Sequence, residues 1–331
     1  MTITIVVFII VLALAFEFIN GFHDTANAVA TSVATRSLTP FQAIILAAIC
    51  NIIGALISTN VALTIGSGLV DANTVTGIVV IAALFAAITW NLITWWFGIP
   101  SSSSHALIGG LIGAIWVHNG AYAINFTNLG YKVILPMIAS PILAFILAFV
   151  VMIIMTRIFS DNRNPRKTNN YIREMQVLST AFLSFSHGSN DAQKTMAIIS
   201  LTLLSYGMID TMYIPTWVIL ACAICMGLGT LSGGMRIIKT LSTRVAKLKP
   251  ANGFAAEISS ASLIFMASLL GFPVSTTQAA SGSIMGAGIT GKKSLRWDII
   301  QKMVVAWCLT LPICMGISIF FLKVIMLIKH I

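Results

Sequence analysis

The sequence predicts an all-α polytopic membrane protein made of two inverted-topology repeats, with re-entrant helical hairpins and broken helices at the bilayer midplane. Composition, an internal duplication and a reversal of loop charge between the copies carry that expectation. Of 331 residues, 58% are hydrophobic and 8% charged, against roughly 25% charged in a soluble domain. No soluble fold buries that much apolar surface, so lipid is the solvent for most of the chain. A net charge of +10 would suggest nucleic acid in a soluble protein. Here the basic residues gather in short loops between apolar runs, the positive-inside pattern, and no nucleic-acid partner is expected.

In chain order, apolar segments of spanning length lie near 3–20, 41–66, 75–97, 132–156, 215–238 and 299–328. The first has no basic n-region and leads straight into a polar motif, so it reads as a retained span and not a cleaved signal. Regions 101–117, 176–205 and 253–290 are rich in Gly, Ser and Thr, with Pro100 and Pro273 among or beside them. Interruptions of this kind are tolerated at membrane depth where backbone lines an enclosed cavity, and they point to a transport site. Cys50, Cys222, Cys225, Cys308 and Cys314 all lie inside apolar runs and read as core thiols.

Two motifs recur in order. Gly21-Phe22-His23-Asp24-Thr25-Ala26 has its counterpart in Gly188-Ser189-Asn190-Asp191-Ala192-Gln193. Further on, Gly98-Ile99-Pro100-Ser101-Ser102-Ser103-Ser104-His105 matches Gly271-Phe272-Pro273-Val274-Ser275-Thr276-Thr277-Gln278, and Gly109 and Gly113 align with Gly282 and Gly286. Two ordered matches indicate duplication. Loop charge then sets the orientation. The first copy carries Arg36 after its motif, only Asp71 in 67–74, and neither Lys nor Arg in 117–130. In the second, 206–214 holds only Asp210, while 239–252 holds Lys239, Arg244, Lys247 and Lys249, and 291–298 holds Lys292, Lys293 and Arg296. Equivalent loops therefore fall on opposite sides of the membrane.

The division expected is a first repeat over 1–156, a cytoplasmic basic linker over 157–174 with Arg157, Arg163, Arg166, Lys167 and Arg173, and a second repeat over 175–331. Both termini then lie outside the cytoplasm, although Lys323 and Lys329 pull mildly the other way. Segments 75–117 and 253–290 enter and leave on one side. Their polar, uncharged turns favour hairpins that stay within the membrane.

At those turns, proline fixes the bend and hydroxyl residues stand where the returning helix begins. A helix start offers unpaired N–H groups and partial positive charge, so two such tips meeting at mid-membrane would cradle a tetrahedral anion. The simpler role for such hydroxyls is to cap buried helices. Asp24 and Asp191 occupy equivalent positions, and a charge at the bilayer centre costs at least ~2.5–3.5 kcal/mol. With Asn20, Asn27, Asn190 and carbonyls freed by helix unwinding at the preceding glycines, they suit Na⁺ or proton uptake; the alternative is a salt bridge to Lys194. Gln193 and Lys194 adjoin the second motif and stand within reach of an anion. Glu257 reads as a further cation ligand, and Glu17 as either a ligand or an ion-pair partner. His23, His105 and His187 read as polar hydrogen-bonding residues, and Asn51 as a helix–helix hydrogen bond.

On these motifs, over nearly its full length, the chain resembles the PiT family of inorganic phosphate transporters. Gly21–Ala28 and Gly188–Lys194 resemble its paired signature around G-x-N-D-x-x-N, and the two tips resemble its hairpin motifs. The resemblance implies inverted repeats, frequent homodimers, an inner or plasma membrane location, and Na⁺- or H⁺-coupled symport of phosphate without a bound cofactor. By position it assigns Ser102, Ser103, Ser104, Ser275, Thr276 and Thr277 to phosphate, and Asp24, Asn27, Asn190 and Asp191, with Glu257, to the coupling cation. His23 departs from a frequent Asn, Gln193-Lys194 from a frequent second Asn, and Asn51 stands where animal relatives carry Glu. Sulfate permeases are the neighbouring alternative. An intramembrane hydrolase built on Ser103 or Ser104 with His105 is disfavoured, because Gln278 replaces the base in the other copy. A passive anion channel would not need two acid-bearing helices.

Overall fold

The computed structural model describes residues 2–69, 75–160, 164–233, 235–240, 248–289 and 295–329. The loop charges Asp71, Arg163, Arg244, Lys247, Lys292 and Lys293 lie outside the described residues. All long elements are helices: α1 (Thr2–Ala34), α2 (Pro40–Ala55), α3 (Asn60–Gly68), α4 (Gly77–Phe97), α5 (Ser103–Asn119), the short α6 (Phe126–Asn128), α7 (Leu135–Phe159), α8 (Pro165–Ser205), α9 (Thr216–Ser232), α10 (Met235–Thr240), α11 (Pro250–Leu269), α12 (Thr276–Gly288) and α13 (Trp297–Lys329). Among the described residues, four helices are long and apolar enough to cross a membrane. The 41–66 run forms a fifth candidate, broken between Pro40–Ala55 and Asn60–Gly66 by a 65° bend. Exposed apolar side chains such as Ile138, Ile142, Val305 and Phe320 clothe α7 and α13, as lipid contact requires. The chain is a multi-pass membrane protein.

One sequence expectation is corrected. The motif helices are not unwound: α1 and α8 run unbroken through Asp24 and Asp191. The motif glycines instead let helices touch. A Cβ on Gly21 would stand 2.5 Å from the Met226 carbonyl oxygen in α9, and one on Gly188 would strike the Asn51 backbone in α2. The breaks fall at the hairpin tips and between α2 and α3. Within the expected linker 157–174, α7 reaches Phe159 and α8 starts at Pro165, N-capped by the Asn164 side chain. Pro at the first helical position is favoured because its missing N–H would be unpaired anyway.

The helix pairings form matched sets. α2 packs on α8 as α9 packs on α1; α4 pairs with α5 as α11 pairs with α12; α5 lies on α13 as α12 lies on α7. Glycines make these last contacts close. A Cβ on Gly109 or Gly113 would lie 2.7 or 2.6 Å from the carbonyl oxygen of Leu311 or Met315 in α13, and one on Gly282 or Gly286 would collide with Pro141 or Phe145 in α7. Both hairpins turn at a left-handed glycine, Gly98 (φ 65°) and Gly271 (φ 75°), a backbone shape that costs other residues energy.

Candidate functional site

The site forms where α1 and α8 meet the two hairpin tips. Along α1 and the turn that follows it, the polar residues Glu17, Asn20, Asp24, Asn27, Thr31 and Thr35 recur every three or four positions, which places them on one face. Gln176, Thr180, Ser184, His187, Asp191 and Lys194 do the same on α8. None of these twelve side chains is more than 4% exposed. A polar seam buried in an apolar protein must satisfy itself, and bonds across it do so, such as Thr35 to the Gln176 side-chain oxygen at 2.7 Å.

The two carboxylates sit back to back. Asp24, His187 and Asp191 each offer an atom within 4.8 Å of the others. Asp24 Oδ1 lies 2.7 Å from His23 Nδ1 and accepts from Thr277 Oγ1 at 3.2 Å. Asn27 Nδ2 donates to Thr277 Oγ1 at 2.7 Å and reaches Asp24 Oδ1 at 3.5 Å. Asp191 Oδ2 accepts from Thr276 Oγ1 at 2.8 Å and lies 3.1 Å from His187 Nε2. Its Oδ1 takes a short ion pair from Lys194. The Lys194 ammonium also donates to Ser104 Oγ at 2.5 Å and to the Val274 carbonyl at 3.1 Å, and so joins the two tips.

The tips divide their hydroxyls between two jobs. Ser102 and Ser275 are N-caps, accepting from the His105 and Gln278 N–H at 3.2 and 3.3 Å. Ser104, Thr276 and Thr277 turn toward the aspartates, directly or through Lys194. Ser103 Oγ is buried without a partner among the described residues, beside the N–H groups that a helix start leaves unpaired. Buried orphan donors of this kind are costly unless something binds them. A histidine supports each acid: His23 also meets Thr94 Oγ1 at 3.0 Å, and His187 meets Asn51 Oδ1 at 3.0 Å. Asn51 in turn donates to Thr230 at 3.0 Å, the helix–helix role expected of it.

Some expected residues stand elsewhere. Gln193 does not reach the tips: its Oε1 accepts the Val61 and Ala62 N–H groups at 2.7 and 3.1 Å and so caps the start of α3. Glu257 belongs to a separate cluster. Its carboxylate accepts from Thr31 at 2.5 Å, Gln176 at 2.9 Å, Ser179 at 2.5 Å and Thr180 at 3.0 Å. A carboxylate has about four acceptor positions, so protein donors already fill them. Asn190 reaches the Phe272 carbonyl at 3.3 Å, below the second tip. Glu17 accepts from Thr195, with its other oxygen unpartnered among the described residues. His105 bonds Gln278 at 3.4 Å, an arrangement that gives a serine nucleophile no base.

Reading the motifs alone passed over Thr31, Thr94, Gln176, Ser179 and Thr180. The three-to-four-residue polar spacing on α1 and α8 was the signal that would have found Thr31, Gln176 and Thr180.

Known proteins resemble this chain over most of its length. The model of the phosphate transporter family matches residues 20–318. A Bacillus subtilis protein named "Probable low-affinity inorganic phosphate transporter" is 48% identical over 93% of each chain. A Rhizobium meliloti protein of the same name is 44% identical over 94% of this chain and 93% of its own. A solved structure named "The sodium-dependent phosphate transporter" shares the fold, with a TM-score of 0.90, 24% identity and coverage of 98% of this chain and 100% of that one. These relatives are transporters and not enzymes, and with the family model spanning most of its length, this chain belongs to the phosphate transporter family.

Proposed function

We propose that the protein is a secondary active symporter that carries inorganic phosphate with a coupling cation across the cell membrane. The observation that carries the reading is the pairing of each tip hydroxyl with an intramembrane acid: Thr277 with Asp24 and Thr276 with Asp191. One pair of helix starts thus serves both ions. Their N–H groups and hydroxyls, including the Ser103 hydroxyl that has no partner among the described residues, receive the tetrahedral anion, while the same hydroxyls help to ligate a cation against the carboxylates. The two charges meet at one place, so each favours entry of the other.

Na⁺ is the coupling ion this donor set favours, because carboxylate, amide and hydroxyl oxygens suit a hard cation. Asn27 Oδ1, buried without a partner among the described residues, supports that assignment, as does the sodium dependence named for the solved relative. Protons are the second reading, supported by the contacts of His23 and His187 with the acids, where an imidazole nitrogen faces a carboxylate oxygen. The reversed loop charges and matched helix pairings support two repeats of opposite orientation, which exchange access by rocking about the shared site.

Reconstituted liposomes test this directly. Labelled phosphate is expected to accumulate under an imposed Na⁺ or pH gradient, with arsenate competing and sulfate not. Asp24→Asn is expected to abolish gradient-driven uptake while the protein stays folded. Uptake that ignores both gradients would convert the carrier into a channel and end the proposal.

A further inference from the structure

Exchange of the two halves maps Asp24 onto Asp191, and Asn27, three residues after the first acid, onto Lys194, three residues after the second. It maps Thr277 onto Ser104 as well, since each is the last hydroxyl of its tip. The contacts obey the same exchange. Asn27 bridges Asp24 and Thr277; Lys194 bridges Asp191 and Ser104. In the first half an amide holds that position, and in the second a fixed positive charge does.

The surroundings of Lys194 Nζ are those of a cation site. A carboxylate oxygen of Asp191, the Ser104 hydroxyl at 2.5 Å and the Val274 carbonyl at 3.1 Å converge on it from α8 and both tips. Carboxylate, hydroxyl and carbonyl oxygens are the ligands of a hard metal ion. An ammonium has three donors, and these three contacts use all of them. The side chain is 2% exposed, so the ammonium and its three oxygen partners are closed off from solvent. Asp24 contrasts with this. Among the described residues its one ion-pair partner is His23, and the neighbouring Asn27 Oδ1 is buried with no partner.

Resting on the cation-coupled reading above, we propose that the Lys194 ammonium is a tethered cation that occupies the second of two equivalent ion positions, leaving the Asp24 half as the one that binds a mobile ion. The lysine then keeps Asp191 neutralised throughout the cycle and holds the tips together, and one coupling ion fewer is carried per phosphate than a chain with Asn at both positions would carry.

Equilibrium binding of radioactive Na⁺ to the purified full-length protein tests it. The wild type is expected to bind at most one Na⁺ per protomer, lost in Asp24→Asn. Lys194→Asn is expected to bind one more than the wild type, with the added ion lost in the double variant Lys194→Asn/Asp191→Asn. In liposomes the Hill slope of Na⁺ stimulation is expected to rise for Lys194→Asn. A folded Lys194→Asn protein that binds no additional Na⁺ overturns the proposal. So does a wild type that binds two or more, which decides the matter even where the lysine variant fails to fold. Absence of phosphate uptake by the wild type would sink the carrier reading, while the Na⁺ counts would still judge the tethered cation.

Discussion

Replacing Glu257 by Gln separates a scaffolding acid from a coupling acid. Four donors converge on its two oxygens, with Thr31 and Gln176 on one and Ser179 and Thr180 on the other. The glutamine amide group is accommodated on the Ser179–Thr180 side. Both hydroxyls there already reach the Gln176 carbonyl, at 3.1 and 2.7 Å, so each can donate to that carbonyl and accept from the new amide. The Gln176 amide on the other side keeps its acceptor. The packing therefore survives and only the charge is lost. A hydrogen bond to a charged group is worth ~1.5–3 kcal/mol and a neutral one ~0.5–1.5. Four weakened bonds then cost about 4 kcal/mol, at roughly 1 kcal/mol each. Bonds within membranes run weaker, averaging ~0.6 kcal/mol, so the loss expected is about 2–4 kcal/mol. Thermal unfolding of the purified protein should show a lowered Tm, while the Na⁺ dependence of uptake by the folded fraction is unchanged. A variant with unaltered Tm and a weakened Na⁺ response would refute the reasoning and return Glu257 to the ion path.

Gln193→Ala should leave the buried Val61 and Ala62 N–H groups without acceptors, at ~1–3 kcal/mol each; Tm falls and the KM for phosphate holds, whereas a raised KM at constant Tm would put this side chain on the anion. Thr277→Val removes a bond to the Asp24 carboxylate and should weaken coupling-ion affinity roughly 10- to 100-fold, from ~1.5–3 kcal/mol, with Thr277→Ser retaining it; equal loss in both variants argues against a hydroxyl role. Gly113→Ala and Gly286→Ala each press a Cβ into backbone of the neighbouring helix and should cost ~1–3 kcal/mol, read as lower Tm; a neutral result would mean that α5–α13 and α12–α7 separate freely.

Much of this site was legible because its two motifs each occur twice in the sequence. The aspartates and tips announced themselves by recurring in order, and the structure brings Asp24, Asp191, Thr276, Thr277 and Ser104 together. The state of the motif helices was not legible. A glycine beside a buried acid fits an unwound turn and a close helix crossing equally well, and only the backbone of α2 and α9 against Gly188 and Gly21 decides for the crossing. Gln193 was misplaced for a related reason. Its neighbour Lys194 points to the tips, but one residue along a helix turns a side chain by about 100°, toward α3. Glu257 could be seen to lie in the membrane, whereas its four donors come from helices far apart in sequence.

The unbroken course of α1 and α8 assigns the mechanical parts. Continuous rods that cross beside each other make poor hinges, so the backbone bends at the hairpin tips and not within α1 or α8. The hairpins are backed, glycine against backbone, by α7 and α13, and each must travel with its backing helix. Those helices present their other faces to the acyl chains. Under the proposed exchange of access, moving a hairpin drags a lipid-wetted surface through the bilayer, and the thickness of the surrounding membrane becomes a load on turnover.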